Sequence, residues 1–261
     1  GNKSLYQNMG WHYRRLVVPR ILPQCRKIIT VSHFERNRIR EALRLPDGQI
    51  TTVYNGYSRH FYPQEDPSPI TRKYIEESRY LFFLGNTDPK KNVPRTLKAY
   101  SLYREKSPKP LPLLIADIKE EILGSILREQ GIEHVRPHIV CPGYIPNTDL
   151  PYLYSGAFAF LYTSLRESFG IPLLEAMACG TPVVTSNTSS MPEVGGPGAL
   201  LCDPTDAKDI AHKILSLEKD PALYRQQIQY GLRRAKRFSW ETTATELLSI
   251  YCLLYTSDAA D

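Results

Sequence analysis

The sequence has no long run of apolar residues. None of its apolar stretches approaches the ~20 residues that a helix needs to cross a bilayer, so we expect no transmembrane helix. The first thirteen residues also lack the apolar centre of a signal peptide. The chain begins with Gly1 instead of methionine, and we expect this start to be an internal position of a longer protein.

The last ten residues, CLLYTSDAAD (Cys252–Asp261), resemble the translation of a transposase sequencing adapter. We therefore expect residues 252–261 to be an artefact and exclude them from the prediction of the fold. Without Asp258 and Asp261, 25 acidic residues stand against 33 Lys and Arg, and the net charge rises from +6 to about +8.

Metal-binding and nucleic-acid-binding patterns are scarce as well. The four cysteines before residue 252 form no Cys-x-x-Cys pair, which favours a reducing, cytoplasmic compartment. No block of Lys and Arg is interleaved with aromatic residues, so we expect no nucleic-acid partner. The basic residues are densest in the first 44 positions. This density favours a solvated face, and peripheral association with the inner membrane surface is the alternative that we leave open.

Short apolar segments alternate with longer amphipathic segments along the chain. The segment Tyr62–Pro69, with three prolines, is typical of a linker. Because the strands after it are apolar on both faces and are joined by helices, they predict a parallel sheet covered on both sides. The predicted strands are Tyr80–Leu84, Pro112–Ala116, His138–Cys141, Ala157–Tyr162, Pro182–Ser186 and Ala199–Cys202. The predicted helices are Pro94–Glu105, Lys119–Gln130, Thr148–Tyr154, Pro172–Cys179, Ala207–Lys219 and Pro221–Lys236.

The fold class is therefore α/β, with one complete doubly wound domain at residues 63–237. Residues 1–62 contain only a strand (Ile28–Val31), a helix capped by Ser32 and a strand (Ile50–Tyr54), followed by the linker. We interpret residues 1–62 as the remnant of a first domain and its linker, and residues 238–251 as a C-terminal helix.

In open parallel sheets, ligands bind beyond the carboxyl ends of the strands, and the loop at residues 84–92 lies there. Gly85 directly follows a strand, and Lys90 and Lys91 precede a helix. Cations beside a helix start favour a diphosphate site, although a solvated turn would have the same composition.

Two further loops lie at the same edge. In the loop before the fourth helix, Glu167 and Glu175 flank a glycine, and if Pro172 begins the helix the amides of residues 169–171 can bind an anion. The alternatives are that Glu175 complements the helix dipole and that Glu167 is a cap. Gly143 and Tyr144 in the third loop could bind a flat base, but Tyr144 could equally pack inside the fold.

The stretch ESFGIPLLEAMACGTPVVTSNTSSMPEV (Glu167–Val194) resembles the signature of the retaining glycosyltransferases of family 4, the glycosyl transferases group 1, including its Glu-x7-Glu spacing. Four shorter segments are similar to the same family in the same order: VSHFERNRI, VYNGY, GNTDPKKN and PGYI. The resemblance implies the GT-B architecture, in which two Rossmann-like domains face each other and the C-terminal domain holds a nucleotide sugar.

The resemblance also implies roles for single residues. Glu167 would contact hydroxyls of the donor hexose, Glu175 the ribose, and Lys91, with Lys90 beside it, the diphosphate. The other donor-binding residues that it implies are Gly85, Asn86, Gly143, Tyr144, Ser168, Phe169, Gly170 and Ile171. Glu167 and Lys91 are the candidate catalytic residues. The helix near Phe238–Tyr251 would cross back to the first domain, with Trp240 as its packing anchor.

Two departures from the family pattern stand out. Many members have an arginine where this chain has Asn86, which removes one diphosphate cation. The family's N-terminal histidine and glycine-rich loop have no counterpart here, because His12, His33 and His60 have the wrong context and are interpreted as surface or packing residues.

The implied reaction moves a hexose, mannose or a related sugar, from a nucleoside diphosphate sugar to a hydroxyl of a glycan or lipid-linked acceptor, with retention of configuration. Because lysines and a helix N-terminus can stabilise the leaving diphosphate and the cleft loops have no Asp-x-Asp pair, we expect no metal and no other cofactor. We expect the chain alone to be inactive. The alternatives are a non-catalytic nucleotide-sugar-binding module and a nucleotide-sugar epimerase on the same fold.

Overall fold

The structure, a computed structural model, describes residues 13–258, without the side chains of Arg14 and of residues 256–258. His12 therefore lies outside the described residues. The chain divides into two units, Gly1–Tyr54 and Asn55–Asp261. No helix among the described residues is both long and apolar enough to cross a membrane.

The first unit contains two parallel strands, β1 (Ile28–Thr30) and β2 (Ile50–Thr52), joined by a helix. A short helix, α1 (Val18–Ile21), precedes β1, and α2 (His33–Leu43) connects the two strands. The Ser32 hydroxyl accepts a hydrogen bond from the Glu35 amide at 3.2 Å, which confirms the predicted N-cap.

The second unit is built on a six-stranded parallel sheet with the strand order β5-β4-β3-β6-β7-β8. This sheet confirms the predicted α/β fold class. The bounds of the six strands are β3 (Leu81–Leu84), β4 (Leu113–Ala116), β5 (Ile139–Gly143), β6 (Ala159–Tyr162), β7 (Val183–Ser186) and β8 (Leu200–Cys202).

Helices cover this sheet and connect its strands. They are α3 (Ser68–Thr71), α4 (Val93–Lys106), α5 (Glu120–Gln130), α6 (Leu150–Gly156), α7 (Ile171–Ala178), α8 (Met191–Gly195), α9 (Ala207–Lys219), α10 (Pro221–Ala235) and α11 (Trp240–Asp258). Strands β3, β4 and β6 are almost completely buried, as expected for a sheet covered on both faces.

Aromatic side chains fill part of the space between the sheet and its helices. Tyr154 of α6 packs edge-on against Phe82 and Phe160, with ring centroids 5.3 and 5.0 Å apart. The Tyr80 hydroxyl donates to the Leu153 carbonyl oxygen at 2.7 Å, so its polar group is satisfied inside the core.

Several predicted boundaries need correction. The segment predicted as a linker, Tyr62–Pro69, is partly folded, because α3 begins at Ser68 and the Gln64 amide donates to the Ser155 hydroxyl at 3.1 Å. Helix α11 runs to Asp258, beyond the predicted end at Tyr251. Trp240, predicted as an anchor, is 46% exposed, and its neighbour Phe238, 4% exposed, packs into the core instead.

Candidate active site

The carboxyl ends of the parallel strands β3, β4, β5 and β6 lie at one edge of the sheet. The loops that follow these strands therefore come together there. All three loops selected from the sequence are among them, as is the loop after β4, which the sequence analysis did not select.

A partly buried ion pair joins two of these loops. Lys91 Nζ lies 2.7 Å from Glu167 Oε1, and the two side chains are only 17% and 12% exposed. Lys91 Nζ also lies 5.5 Å from the centre of the Tyr162 ring. Burial, together with the negative charge of Glu167, raises the pKa of Tyr162 well above its ordinary value. The structure thus brings the two candidate catalytic residues into direct contact. The ring of Tyr162 lies next to them, and its hydroxyl stays neutral.

The loop that carries Glu167 is held in place by two serines before α8. The Ser190 hydroxyl lies 2.9 Å from the carbonyl oxygens of Glu167 and Phe169, and the Glu167 amide donates to the Ser189 hydroxyl at 3.1 Å. On its other side, the Leu165 amide donates to the Lys90 carbonyl oxygen at 2.7 Å. These bonds fix the position of the Glu167 backbone relative to the loop at residues 84–92, which carries Lys90 and Lys91.

Helix α7 begins at Ile171, one residue before the predicted start, and Pro172 occupies its second position. Gly170 is the N-cap residue and has a φ of +105°. The amides of Gly170 and Ile171 lie at the helix start, where no intrahelical acceptor exists, so this end of α7 can bind an anion. Phe169 is 4% exposed, and its ring packs against Phe238, whereas Ser168 is exposed.

The two lysines of the first loop differ in their surroundings. Lys90 is exposed and lies 3.6 Å from Asp88, so the structure does not bring it to Glu167 as it does Lys91. Asn86 stands in the position of the family's arginine. Its side-chain oxygen accepts a hydrogen bond from the Asp88 amide at 2.9 Å, which shapes the loop. Gly85 packs against Ile115, since a Cβ atom there would lie 3.1 Å from its side chain.

Asn92 is a structural residue that the sequence analysis missed. It is 4% exposed, and its amide nitrogen donates to the carbonyl oxygens of Thr163 and Pro204 at 3.0 and 2.7 Å. These bonds connect the loop at residues 84–92 to the end of β6 and to the loop after β8. A single asparagine in a polar loop gives no sequence signal for such a role.

A cavity of about 590 Å³ opens at the same edge of the sheet as the ion pair. Its volume is in the range of small-molecule sites. Tyr144, 75% exposed, stands at its wall, so its ring is available to a ligand and the packing interpretation of Tyr144 is wrong. Gly143, with a φ of +78°, ends the neighbouring strand. The polar and charged residues of the lining are Ser58, His60, Gln64, Asp117, Asn147, Thr148 and Glu175.

Glu175 of α7 also lines this cavity. Burial raises the pKa of its carboxyl to about 7, and a hydrogen bond from the Tyr154 hydroxyl, at 3.4 Å, offsets part of that rise. The charge of Glu175 in turn raises the pKa of the buried Cys179 thiol, which burial alone already raises. Glu175 can therefore change its protonation state near neutral pH.

We expect this shift to appear in the stability of the protein. The folded protein binds the Glu175 proton more tightly than the unfolded chain, so the free energy of unfolding should fall as the pH rises from about 4.5 to about 7. The Glu175 contribution should be about 3 kcal/mol. Urea unfolding of the protein and of Glu175→Gln across this range measures it. Equal slopes for both proteins would show that Glu175 is not the group responsible.

His60 and Asp117 line the cavity, and the sequence analysis selected neither as a site residue. His60 is exposed, which agrees with its interpretation as a surface or packing residue, and it also lines the cavity. His33 packs edge-on against Tyr54, with ring centroids 5.7 Å apart, as the packing interpretation predicts. Within the described part of the chain, no three His, Cys, Asp or Glu side chains converge to hold a metal ion.

Comparison with known proteins identifies the family. The family described as "Glycosyl transferases group 1" matches residues 70–234, and "Glycosyltransferase Family 4" matches residues 2–61. Among curated proteins, O-antigen chain mannosyltransferase B of Escherichia coli is 35% identical over 243 residues, which cover 89% of this chain and 62% of that protein.

Solved structures agree on the fold. Sucrose-phosphate synthase from Thermosynechococcus elongatus matches with a TM-score of 0.79 and 25% identity, over 94% of this chain and 62% of that one. Anabaena Alr3699/HepE, solved in complex with UDP and glucose, matches with a TM-score of 0.73 and 18% identity. The match covers 87% of this chain and 63% of that one. The chain spans about 62% of the length of the first curated relative. The two matched segments and the GT-B neighbours together show that this chain belongs to the glycosyl transferases group 1 family.

Proposed function

We propose that this chain forms the donor-binding part of a retaining mannosyltransferase that uses GDP-mannose. The observation that carries the proposal is the Lys91–Glu167 ion pair beside the N-terminus of α7. One cation, one carboxylate and free helix amides are the groups that a diphosphate bonded to a sugar needs. The choice of mannose is supported by the name of the curated relative, an O-antigen chain mannosyltransferase.

In this proposal, Lys91 and the amides of residues 169–171 hold the diphosphate. Glu167 accepts hydrogen bonds from hexose hydroxyls, Glu175 binds the ribose, and Gly143 and Tyr144 lie beside the base. As the bond between the hexose and the diphosphate breaks, negative charge grows on the leaving phosphate, and Lys91 and the helix start stabilise it. The departing phosphate takes the proton of the acceptor hydroxyl, which attacks from the same face, so the configuration is retained.

No protein nucleophile and no metal are required by this scheme, and the absence of a metal requirement stays a prediction. The acceptor that we propose is a hydroxyl of a glycan or of a lipid-linked glycan. We place the protein in the cytoplasm, and peripheral association with the inner membrane face stays the open alternative for its basic excess. We expect the chain alone to bind the donor without transferring the hexose, since the acceptor-side family segment matches only residues 2–61.

Calorimetric titration of the chain with GDP-mannose, GDP, UDP and ADP tests the proposal. We expect GDP to bind more tightly than UDP and ADP, and Glu175→Ala to lose GDP binding because the ribose contact is gone. Glu105→Ala is the matched control, because Glu105 is exposed and lies in the last turn of α4, at the opposite edge of the sheet. A folded chain that binds none of the four ligands would refute the proposal.

The epimerase alternative gives a different result in the same samples. An epimerase would convert the sugar of GDP-mannose, and His60, Asp117 and Glu175 around one cavity are the residues it would use. Proton NMR of the nucleotide sugar after incubation should show mannose unchanged. The Glu167 contact predicts that GDP-mannose binds more tightly than GDP.

A further inference from the structure

Asp117 is a carboxylate that the proposed donor contacts leave unused. It directly follows β4 and has a positive φ of +60°. Its amide donates to the Gly143 carbonyl oxygen at 2.9 Å, so the loops after β4 and β5 are tied together at this point. The side chain lies at the cavity wall and has no hydrogen bond or ion pair within residues 13–258. Asp117 is exposed, and desolvation by the surrounding wall raises the pKa of its carboxyl.

The charges of the cavity wall restrict what can bind there. The lining contains two carboxylates, Asp117 and Glu175, and one imidazole, His60, but no lysine or arginine. A phosphate would be repelled by this wall, whereas groups that donate hydrogen bonds would be favoured. If the diphosphate lies at Lys91, as proposed above, the nucleoside end of the donor is the part that enters the cavity.

Among the common bases, guanine fits a free carboxylate best. Its ring N–H and its amino group point in the same direction and can donate to both oxygens of one carboxylate, which gives a charge-assisted, two-bond contact. Uracil would direct carbonyl oxygens at the carboxylate on both sides of its single N–H. Adenine and cytosine offer only one exocyclic amino group beside ring acceptors.

We propose that Asp117 selects a guanine nucleotide by accepting hydrogen bonds from the ring N–H and the amino group of the base. Tyr144, 75% exposed at the same wall, provides an aromatic face for stacking. Selectivity for guanine then comes from Asp117, because an aromatic ring can stack on any base. This inference rests on the proposed donor site and adds to it the residue that selects the base.

The test compares GDP with inosine diphosphate, which lacks only the amino group of guanine. Calorimetric titrations use the full chain, the Asp117→Asn variant and the Glu105→Gln control, with UDP and ADP as further ligands. Asparagine suits Asp117 because it tolerates a positive φ, and Asp117→Gly is the second variant if Asp117→Asn fails to fold.

For the unaltered chain, we expect GDP to bind about tenfold more tightly than inosine diphosphate, since the amino group makes one charge-assisted bond. In Asp117→Asn, GDP affinity should fall roughly tenfold to a hundredfold, and the ratio of the two affinities should approach one. The weaker binding of UDP and ADP should change less than twofold, as should all binding by Glu105→Gln.

Four results would overturn the inference. An unchanged ratio of GDP to inosine diphosphate in Asp117→Asn would show that the carboxylate does not contact the amino group. An equal loss of affinity for all four nucleotides would show that Asp117 contacts the ribose, which they share, and not the base. Preference of the unaltered chain for UDP or ADP would refute guanine selection while leaving the donor site intact. Binding of no nucleotide at all would refute the donor site, and this inference with it.

Discussion

Replacing Lys91 by methionine should weaken GDP binding by roughly a hundredfold, because it removes the cation and leaves a carboxylate facing the diphosphate. In the structure, Lys91 Nζ is 2.7 Å from Glu167 Oε1. Without Lys91, the charge of Glu167 is uncompensated, buried to about 88% and close to the phosphates. Calorimetric titration of Lys91→Met with GDP measures the loss.

Replacing Glu167, the residue that pairs with Lys91, should have the opposite effect on GDP binding. Glu167→Gln removes the competitor for the Lys91 ammonium, so GDP affinity should rise a few-fold. The same change replaces a charged acceptor for hexose hydroxyls by a neutral and weaker one, so the advantage of GDP-mannose over GDP should shrink. The double variant should bind GDP better than Lys91→Met alone, since the unpaired carboxylate is then gone.

Lys90→Met is the matched control for this series. Lys90 is 48% exposed at its side chain and pairs with Asp88, so its loss should weaken GDP binding less than threefold. A larger loss in Lys90→Met than in Lys91→Met would contradict the assignment of the diphosphate cation. Parallel losses in Lys91→Met and Glu167→Gln would show instead that the ion pair only stabilises the fold.

The second large effect concerns Gly170. We expect Gly170→Ala to lower the free energy of unfolding by about 2–4 kcal/mol, from backbone strain and a steric clash together. Its φ is +105°, and an added Cβ would lie 2.5 Å from Met191 Cε and 3.2 Å from Met191 Sδ. Because Gly170 is the N-cap residue of α7, the strain should also weaken GDP binding. Urea unfolding and titration measure the two effects.

Gly143→Ala separates the clash from the backbone strain. Gly143 also has a positive φ, +78°, but no atom lies within 4 Å of the position of its Cβ. This variant should therefore lose only the strain contribution, about 1–2 kcal/mol. Met191→Ala should cost less stability in the Gly170→Ala background than in the unaltered chain, because there it also removes the clash. Equal destabilisation of the two glycine variants would show that contact with Met191 is unimportant.

The sheet could be predicted from the sequence because its strands are short, apolar and separated by helices. Helix α9 has the predicted bounds, Ala207–Lys219, since Asp206 caps its start and an amphipathic pattern fills it. Helix α8 was missed because Met191–Gly195 is a single proline-containing turn, too short for any periodicity. The start of α7 was misplaced by one residue because Pro172 fits the second helical position as well as the first.

The candidate site shows a similar division. Lys91, Glu167 and Glu175 lie in segments whose glycines, prolines and charges are unusual together, so the sequence could select them. Asp117 is one acidic residue at the end of an apolar strand, and His60 lies far from the other loops in sequence. Only the packing of β4 beside β5 and the folding of residues 55–62 with the second unit place these two at the cavity.

A crystal structure of the chain with bound GDP tests the central claim most directly. The account predicts the β-phosphate within hydrogen-bonding distance of Lys91 Nζ and of the amides at the start of α7, with the ribose at Glu175 and guanine between Tyr144 and Asp117. A diphosphate bound away from Lys91 and α7, or a nucleotide outside the cavity, would contradict it.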